Sequence, residues 1–120
     1  MLELEFWKQA REFRKKIAIL VKTFPKEEKF RLTDQIIRSS RSVTANIAEG
    51  HGRFYYQENI QYCRIARGSL VETLDYLIVA YDEGYITENQ LIQLREDYKR
   101  LLKIANGYIA FLKKQKQKNA

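Results

Sequence analysis

The segment Glu49-Gly50-His51-Gly52-Arg53 sets a carboxylate two positions from the only imidazole in the chain. A carboxylate beside an imidazole can orient a general base, so this loop is the first place to look for acid–base chemistry. The rest of such a site is missing: there is no second histidine and no nucleophile at a recognisable elbow. A loop residue between two glycines is the simpler reading of His51. Cys63, the only cysteine, falls on an apolar helical stripe. A reactive thiolate wants an open, electropositive setting, so the expected role of Cys63 is packing. One cysteine and one histidine exclude an internal disulfide framework, a thiolate cluster and a multi-histidine metal site within one chain. Gly50-x-Gly52 lacks the Lys-Ser/Thr and the preceding strand of a phosphate loop, and no carboxylate spacing matches a metal loop. No catalytic residue, metal or cofactor is therefore expected.

Charge is the stronger signal. The 120 residues carry 22 Lys/Arg against 15 Asp/Glu, a net charge of +7. Residues 1–31 hold nine basic residues against five acidic ones, residues 55–84 hold two against five, and the last eight residues hold four lysines and no acid. Lys8, Arg11, Lys15 and Lys22 recur at three-, four- and seven-residue steps, which places them on one face of a helix. Lys99 and Lys103, with the tail lysines Lys113, Lys114 and Lys116, form a second group. Such strips neutralise phosphates without reading bases, and exposed tyrosines offer stacking surfaces. The plainer reading, a solvated basic surface, stands equally.

A third set is polar. Arg38, Asn46 and Glu49 recur on one side of a serine-rich segment, and Ser69 and Glu72 share a side of a later one. Charged groups facing a helical interior must be paired. These five are expected either to form an Arg–carboxylate–amide network between two helices or to line a solvated face.

The elements that would position these residues follow from spacing. Leu4, Trp7, Ala10, Phe13 or Arg14, Ile17, Leu20 or Val21 and Phe24 predict a first helix over 4–23, stopped by Pro25. Leu32, Ile36, Ser40, Val43 and Ile47 predict a second over 32–49, rich in Ser, Thr and Ala and ended by Gly50 and Gly52. Ile60, Cys63, Ala66 or Arg67, Leu70, Leu74, Leu77 or Ile78 and Tyr81 predict a third over 56–83. Gly68 inside it is expected to be a contact point for another backbone. Thr87-Glu88-Asn89-Gln90 is a capping box opening a fourth helix, with Leu91, Leu94, Tyr98, Leu101 or Leu102, Ala105, Ile109 and Leu112 as its stripe.

Short links between long amphipathic helices imply an all-α, antiparallel up-down-up-down four-helix bundle. The bundle is expected over 1–112, with 113–120 a frayed basic tail. One proline and five glycines leave too little turn chemistry for a hairpin-rich β fold. The opening Met-Leu-Glu-Leu-Glu has no basic leader, and no apolar run approaches a membrane span. The expected location is the cytoplasm, with no membrane partner. Eight tyrosines and six phenylalanines exceed what so small a core holds. Phe6, Phe54, Tyr55, Tyr56, Tyr62 and Tyr85 are candidates for an exposed interface, and self-association is expected.

The run from Leu32 to Arg53, with Ala45-Asn46-Ile47-Ala48-Glu49-Gly50, and the run Ala66-Arg67-Gly68-Ser69-Leu70-Val71-Glu72 resemble the bacterial four-helix-bundle proteins called 23S rRNA intervening-sequence proteins. The likeness covers nearly the whole chain. That family was first recognised in insertions within large-subunit ribosomal RNA genes. A distant branch comprises the basic accessory proteins of diversity-generating retroelements, which partner a reverse transcriptase. The resemblance implies a bundle that assembles as a ring, a pentamer, with no established enzymatic activity. It also implies that Arg38, Asn46, Glu49, Gly50, Gly68, Ser69 and Glu72 are structural signature residues. Two departures stand out. The family often has proline where this chain has Thr44, which would reduce a kink in the second helix. It often has Ser or Thr where Tyr55 stands, so only Glu58 of a capping box remains.

Three functions are consistent with these readings. The first is a non-catalytic, homo-oligomeric protein binding RNA or DNA through its basic strips. The second is an adaptor for another protein, for example a retroelement reverse transcriptase. The third, a metal-dependent nuclease, would normally need clustered carboxylates or a histidine pair, and only Glu49 near His51 is on offer.

Overall fold

Apolar residues three and four apart organise the chain into α1 (Leu2–Leu20), α2 (Leu32–His51), α3 (Tyr56–Asp82) and α4 (Glu88–Lys118). The computed structural model describes residues 2–119, with side chains from Leu4 onward. Two short 3₁₀ turns, Val21–Thr23 and Lys26–Glu28, link α1 to α2. Phe24 between them is extended (φ −73°, ψ 153°), as a residue preceding proline must be. Among the described residues there is no strand.

The helices form a four-helix bundle in which α1 packs on α2, α2 on α3, α3 on α4, and α4 closes against α1. Partners along α2 and α3 run in opposite senses, Ser39 meeting Thr73 and Ser42 meeting Ser69. Short links require this sense of chain neighbours. The particle is a rod of 51 × 25 × 18 Å.

The core follows most of the expected stripes. Ala10, Phe13, Ile17 and Val21 of the first helix and its 3₁₀ extension, Leu32, Ile36, Val43 and Ile47 of α2, Ile60, Cys63, Ala66, Leu70 and Leu77 of α3, and Leu94, Leu101, Ala105, Ile109 and Leu112 of α4 are buried. Three expectations are corrected. Phe6 is buried in the core while Leu4 is exposed, because the buried stripe steps four residues back from Ala10 to Phe6 and leaves Trp7 only partly covered. Thr73 takes the place expected for Leu74, its hydroxyl satisfied across the α2–α3 seam. Tyr85 is half-buried: it packs on Phe24 at 5.5 Å and donates to Glu28 Oε2 at 2.7 Å.

Helix ends are built as local chemistry demands. Gly84 is left-handed (φ +79°), and Tyr85 N donates to Ala80 O while Gly84 N donates to Tyr81 O. This is the Schellman arrangement that satisfies the last carbonyls of α3. At α4 both halves of the capping box form, Gln90 N to Thr87 Oγ1 and Thr87 N to Gln90 Oε1. The helix then continues through the lysine segment to Lys118, rather than giving way after Leu112. The lysine and glutamine side chains there are good helix formers, and Lys116 Nζ donates to Gln57 Oε1 on α3 at 2.5 Å.

Candidate nucleic-acid interface

Of the polar signature residues, Asn46 and Ser69 join a hydrogen-bonded α2–α3 seam, whereas Arg38, Glu49 and Glu72 are exposed, nearer the solvated-face alternative than the network. Ser42 Oγ and Ser69 Oγ share a hydrogen bond at 2.7 Å, and Asn46 Nδ2 donates to Ser42 O and Oγ. Thr73 Oγ1 donates to Ser39 Oγ or to the Ser69 carbonyl, each at 2.8 Å, one proton serving two acceptors. The seam is thus a ladder of hydroxyls and one amide. Arg38 stands outside it with its side chain 79% exposed and pairs along its own helix with Asp34 at 3.5 Å. Arg38 and the exposed Glu72 instead rim a shallow cleft of about 360 Å³ with Gln35, Ser39, Ser42 and Tyr76.

Glu49 and Gly50 serve the turn between α2 and α3. Glu49 accepts from Arg53 at 2.8 Å. Arg53 also lies over the Tyr62 ring, 4.9 Å from its centroid, donates to Tyr62 Oη at 2.7 Å, and approaches Glu58 at 3.8 Å. Tyr62 first, then Glu49 and Glu58, push the guanidinium's pKa up, against an opposing effect of desolvation. Glu58, expected as half a capping box, thus turns toward Arg53, and α3 starts at Tyr56 without a side-chain cap. Gly50 lies inside α2, and a Cβ on it would stand 2.5 Å from Asn59 Oδ1 and 2.9 Å from Tyr62 Cβ. Gly50, not Gly68, is therefore the close approach within the chain. A Cβ on Gly68 would meet nothing within 4 Å. His51 closes α2 on the exposed side, and Glu49 near it is engaged by Arg53. Thr44 lies within unbroken helix and accepts from Arg14 at 2.8 Å.

Two polar features have no clear signal in the sequence. Asn59 Nδ2 donates to Tyr108 Oη at 3.0 Å inside the bundle. Asp97, 9% exposed, accepts from Lys16 of α1 at 2.9 Å and from Arg100 on its own helix. Periodicity names the face of a helix and not its partner, so neither pairing can be read in advance.

The nine expected phosphate-binding residues fall into three groups. Lys8, Arg11, Lys15 and Lys22 are all exposed on the outer side of the first helix, opposite Phe6, Phe13 and Ile17. Glu12 is the acid among them, 3.6 Å from Arg11 and 3.8 Å from Lys15. On α4, Lys99, Lys103 and Lys114 are exposed, with Lys99 at 3.5 Å from Glu96. Lys113 and Lys116, also exposed, line a groove of about 300 Å³ with Gln57, Ile60, Arg64 and Gln117.

A further groove, about 550 Å³, runs between α1 and α2. It is lined by the cations Arg14, Lys22, Lys29 and Arg41, by the apolar Ala18, Val21 and Ile37, of which Val21 is buried, and by the exposed Phe30. Asp34 is the carboxylate in that lining, already facing Arg38. Lys22 belongs both to the α1 strip and to this groove, so the two join. Of the aromatics expected at the surface, Phe54, Tyr55 and Tyr56 are exposed, Tyr62 is half-buried under Arg53, and Phe6 is not at the surface. Phe30, 84% exposed, is an aromatic that spacing does not single out.

Fold and surface together define a small basic four-helix bundle whose signature polar residues build a helix seam and a turn. Among the described residues no group of three His, Cys, Asp or Glu side chains is placed to hold a metal ion, and no helix is long and apolar enough to cross a membrane. Residues 2–107 match the family described as 23S rRNA-intervening sequence protein, and the chain belongs to that family. Among solved structures it is similar to a protein of unknown function from the S23 ribosomal protein family of Bacteroides thetaiotaomicron VPI-5482. The two share 28% identity and a TM-score of 0.84 over 92% of this chain and 99% of the other. None of the curated proteins compared with the chain matches it.

Proposed function

We propose that this protein is a non-catalytic up-down-up-down bundle that assembles as a ring of identical chains and binds RNA or DNA through its basic surface. The observation that carries the reading is the continuity of that surface. Lys8, Arg11, Lys15 and Lys22 line one side of the first helix, and at Lys22 the strip enters a groove lined by Arg14, Lys29 and Arg41. Seven cations against Glu12 and Asp34 make a track on which backbone phosphates exchange counterions for side chains.

Self-association rests on α3. Its outer side carries exposed Ile65 (51%), Val71 (48%), Ile78 and Val79. Gly68 among them faces open space, although glycine in mid-helix costs about 1 kcal/mol relative to alanine. A neighbouring chain seated there would bury the apolar residues and use the missing Cβ. The resemblance implies five copies in the ring.

Binding of labelled RNA and DNA across a salt series tests the main claim. Log affinity should fall linearly with log salt. Changing Lys8, Arg11 and Lys15 together to glutamine should flatten the slope on duplex by about 0.9 for each phosphate no longer neutralised. No retention of either nucleic acid at low salt would refute the reading.

A further inference from the structure

We infer that the α1–α2 groove takes single-stranded nucleic acid, with an unpaired base stacked on Phe30 and the flanking phosphates held by Lys22, Lys29, Arg14 and Arg41. The inference rests on the nucleic-acid reading above and specifies its ligand.

The connector between α1 and α2 holds two phenylalanines with opposite fates. Phe24 is buried against Tyr85, whereas Phe30 is 84% exposed, although burying such a ring is among the more favourable things a chain of this size can do. An aromatic ring left in water at the mouth of a groove offers a π-face, which every base can use. Its surroundings match the rest of a nucleotide. Lys29 Nζ stands over one face of the Phe30 ring, 5.3 Å from its centre, so a cation for the phosphate is held on one side of a ring that is otherwise 84% exposed to a base. Arg14 is held in place by its bond to Thr44 at 2.8 Å, and it forms part of the groove lining together with Lys22 and Lys29. The apolar lining of Val21 and Ile37 suits a splayed base or ribose better than a continuous phosphate ridge. Duplex hides its base faces in the stack, so it could use the cations but not the ring.

The exposed ring, and not the charge, favours this occupant over an acidic protein segment. An acidic helix would fill the cations but would leave the exposed ring without a planar group to stack on it.

Fluorescence anisotropy with labelled oligothymidylate, oligouridylate and a duplex of equal length tests the proposal on the full chain. Phe30→Ala should weaken both single strands about 5- to 150-fold, leave the salt slope unchanged, and leave duplex affinity as in the wild type. Phe30→Trp should keep single-strand affinity, and its retention shows that the ring and not the local fold is at stake. Lys22→Gln with Lys29→Gln should weaken single strand and duplex alike and flatten the slope. Equal single-strand binding by Phe30→Ala and wild type, or an equal loss on duplex, would overturn the stacking site while leaving nucleic-acid binding intact. Displacement of oligothymidylate by polyglutamate as readily as by unlabelled oligothymidylate would assign the groove to an acidic protein partner and overturn it as well. Failure of the wild type to bind any of the three probes would remove the function proposed above together with this site.

Discussion

At the scale of single residues, packing and hydrogen bonds decide which of the signature positions matter to the isolated chain. Gly50 is needed because α2 and α3 close on it. Gly50→Ala drives a methyl into Asn59 and Tyr62, of which Asn59 is itself tied to Tyr108. Overpacking of this kind costs about 1–3 kcal/mol, which should appear as a lower urea midpoint at unchanged m-value. Tyr85 gives a pH-dependent counterpart. Its hydrogen bond to Glu28 pushes the phenol's pKa up to about 12 from the ordinary value of 10.0, with desolvation and the charge of Glu28 acting the same way. A phenol whose pKa is higher when folded contributes stability that is complete below its unfolded pKa and fades as pH rises toward 12. The melting-temperature gap between wild type and Tyr85→Phe should therefore be constant below pH 10 and shrink from there to pH 12. A gap independent of pH over that window would show that the phenol–carboxylate bond does not hold in solution.

At the scale of elements, the seam between α2 and α3 is specified by hydroxyls more than by bulk. Thr73 at full burial bonds across the seam to Ser39, while its second acceptor, the Ser69 carbonyl, lies one turn back on its own helix. Thr73→Val keeps the shape and removes the donor, at a cost of about 1 kcal/mol. Because each single change removes the same Thr73–Ser39 bond, the double change with Ser39→Ala should cost less than the two single changes summed. Strict additivity in that double-mutant cycle would mean that the two hydroxyls do not communicate. This seam also marks where spacing suffices and where it does not. The stripes of α2 and α4, the Pro25 stop, the Thr87 capping box and the glycine ends are legible in the sequence, because each is a local consequence of spacing or backbone chemistry. On α3, spacing points to Leu74 where Thr73 is the buried residue. Apolar residues lie on both sides of that helix, and periodicity cannot say which side the chain itself covers. Spacing leaves open whether Arg38 pairs across the seam or faces solvent, and the structure pairs it with Asp34, one turn back on its own helix. Pairing across helices depends on register, which no single helix encodes. Phe30 gives no signal at all, since exposure of one ring in a short connector is settled only when Phe24 takes the inner place.

At the scale of the whole molecule, the same surplus of apolar area on α3 that blurs its stripe is what a ring would use. A single chain is a rod with one basic track on its first helix and further lysines on α4. In the ring proposed above, repetition would multiply those tracks at fixed spacing, so that a long nucleic acid would meet several at once and the later binding events would become intramolecular. Changing Ile65 and Val71 together to asparagine adds no charge and leaves the core and the α1 surface untouched. Light scattering after size exclusion should find this variant at the single-chain mass of 14.3 kDa and the wild type at a multiple of it. Affinity for a long oligonucleotide should fall about 100-fold or more, whereas a short oligonucleotide that spans one chain should bind both forms alike. The two lengths separate avidity from damage to the site, because a damaged site would lose the short probe as well. A wild-type chain that scatters as a monomer at micromolar concentration would leave the outer side of α3 without its proposed cover, and phosphate binding would then have to be explained by one rod alone.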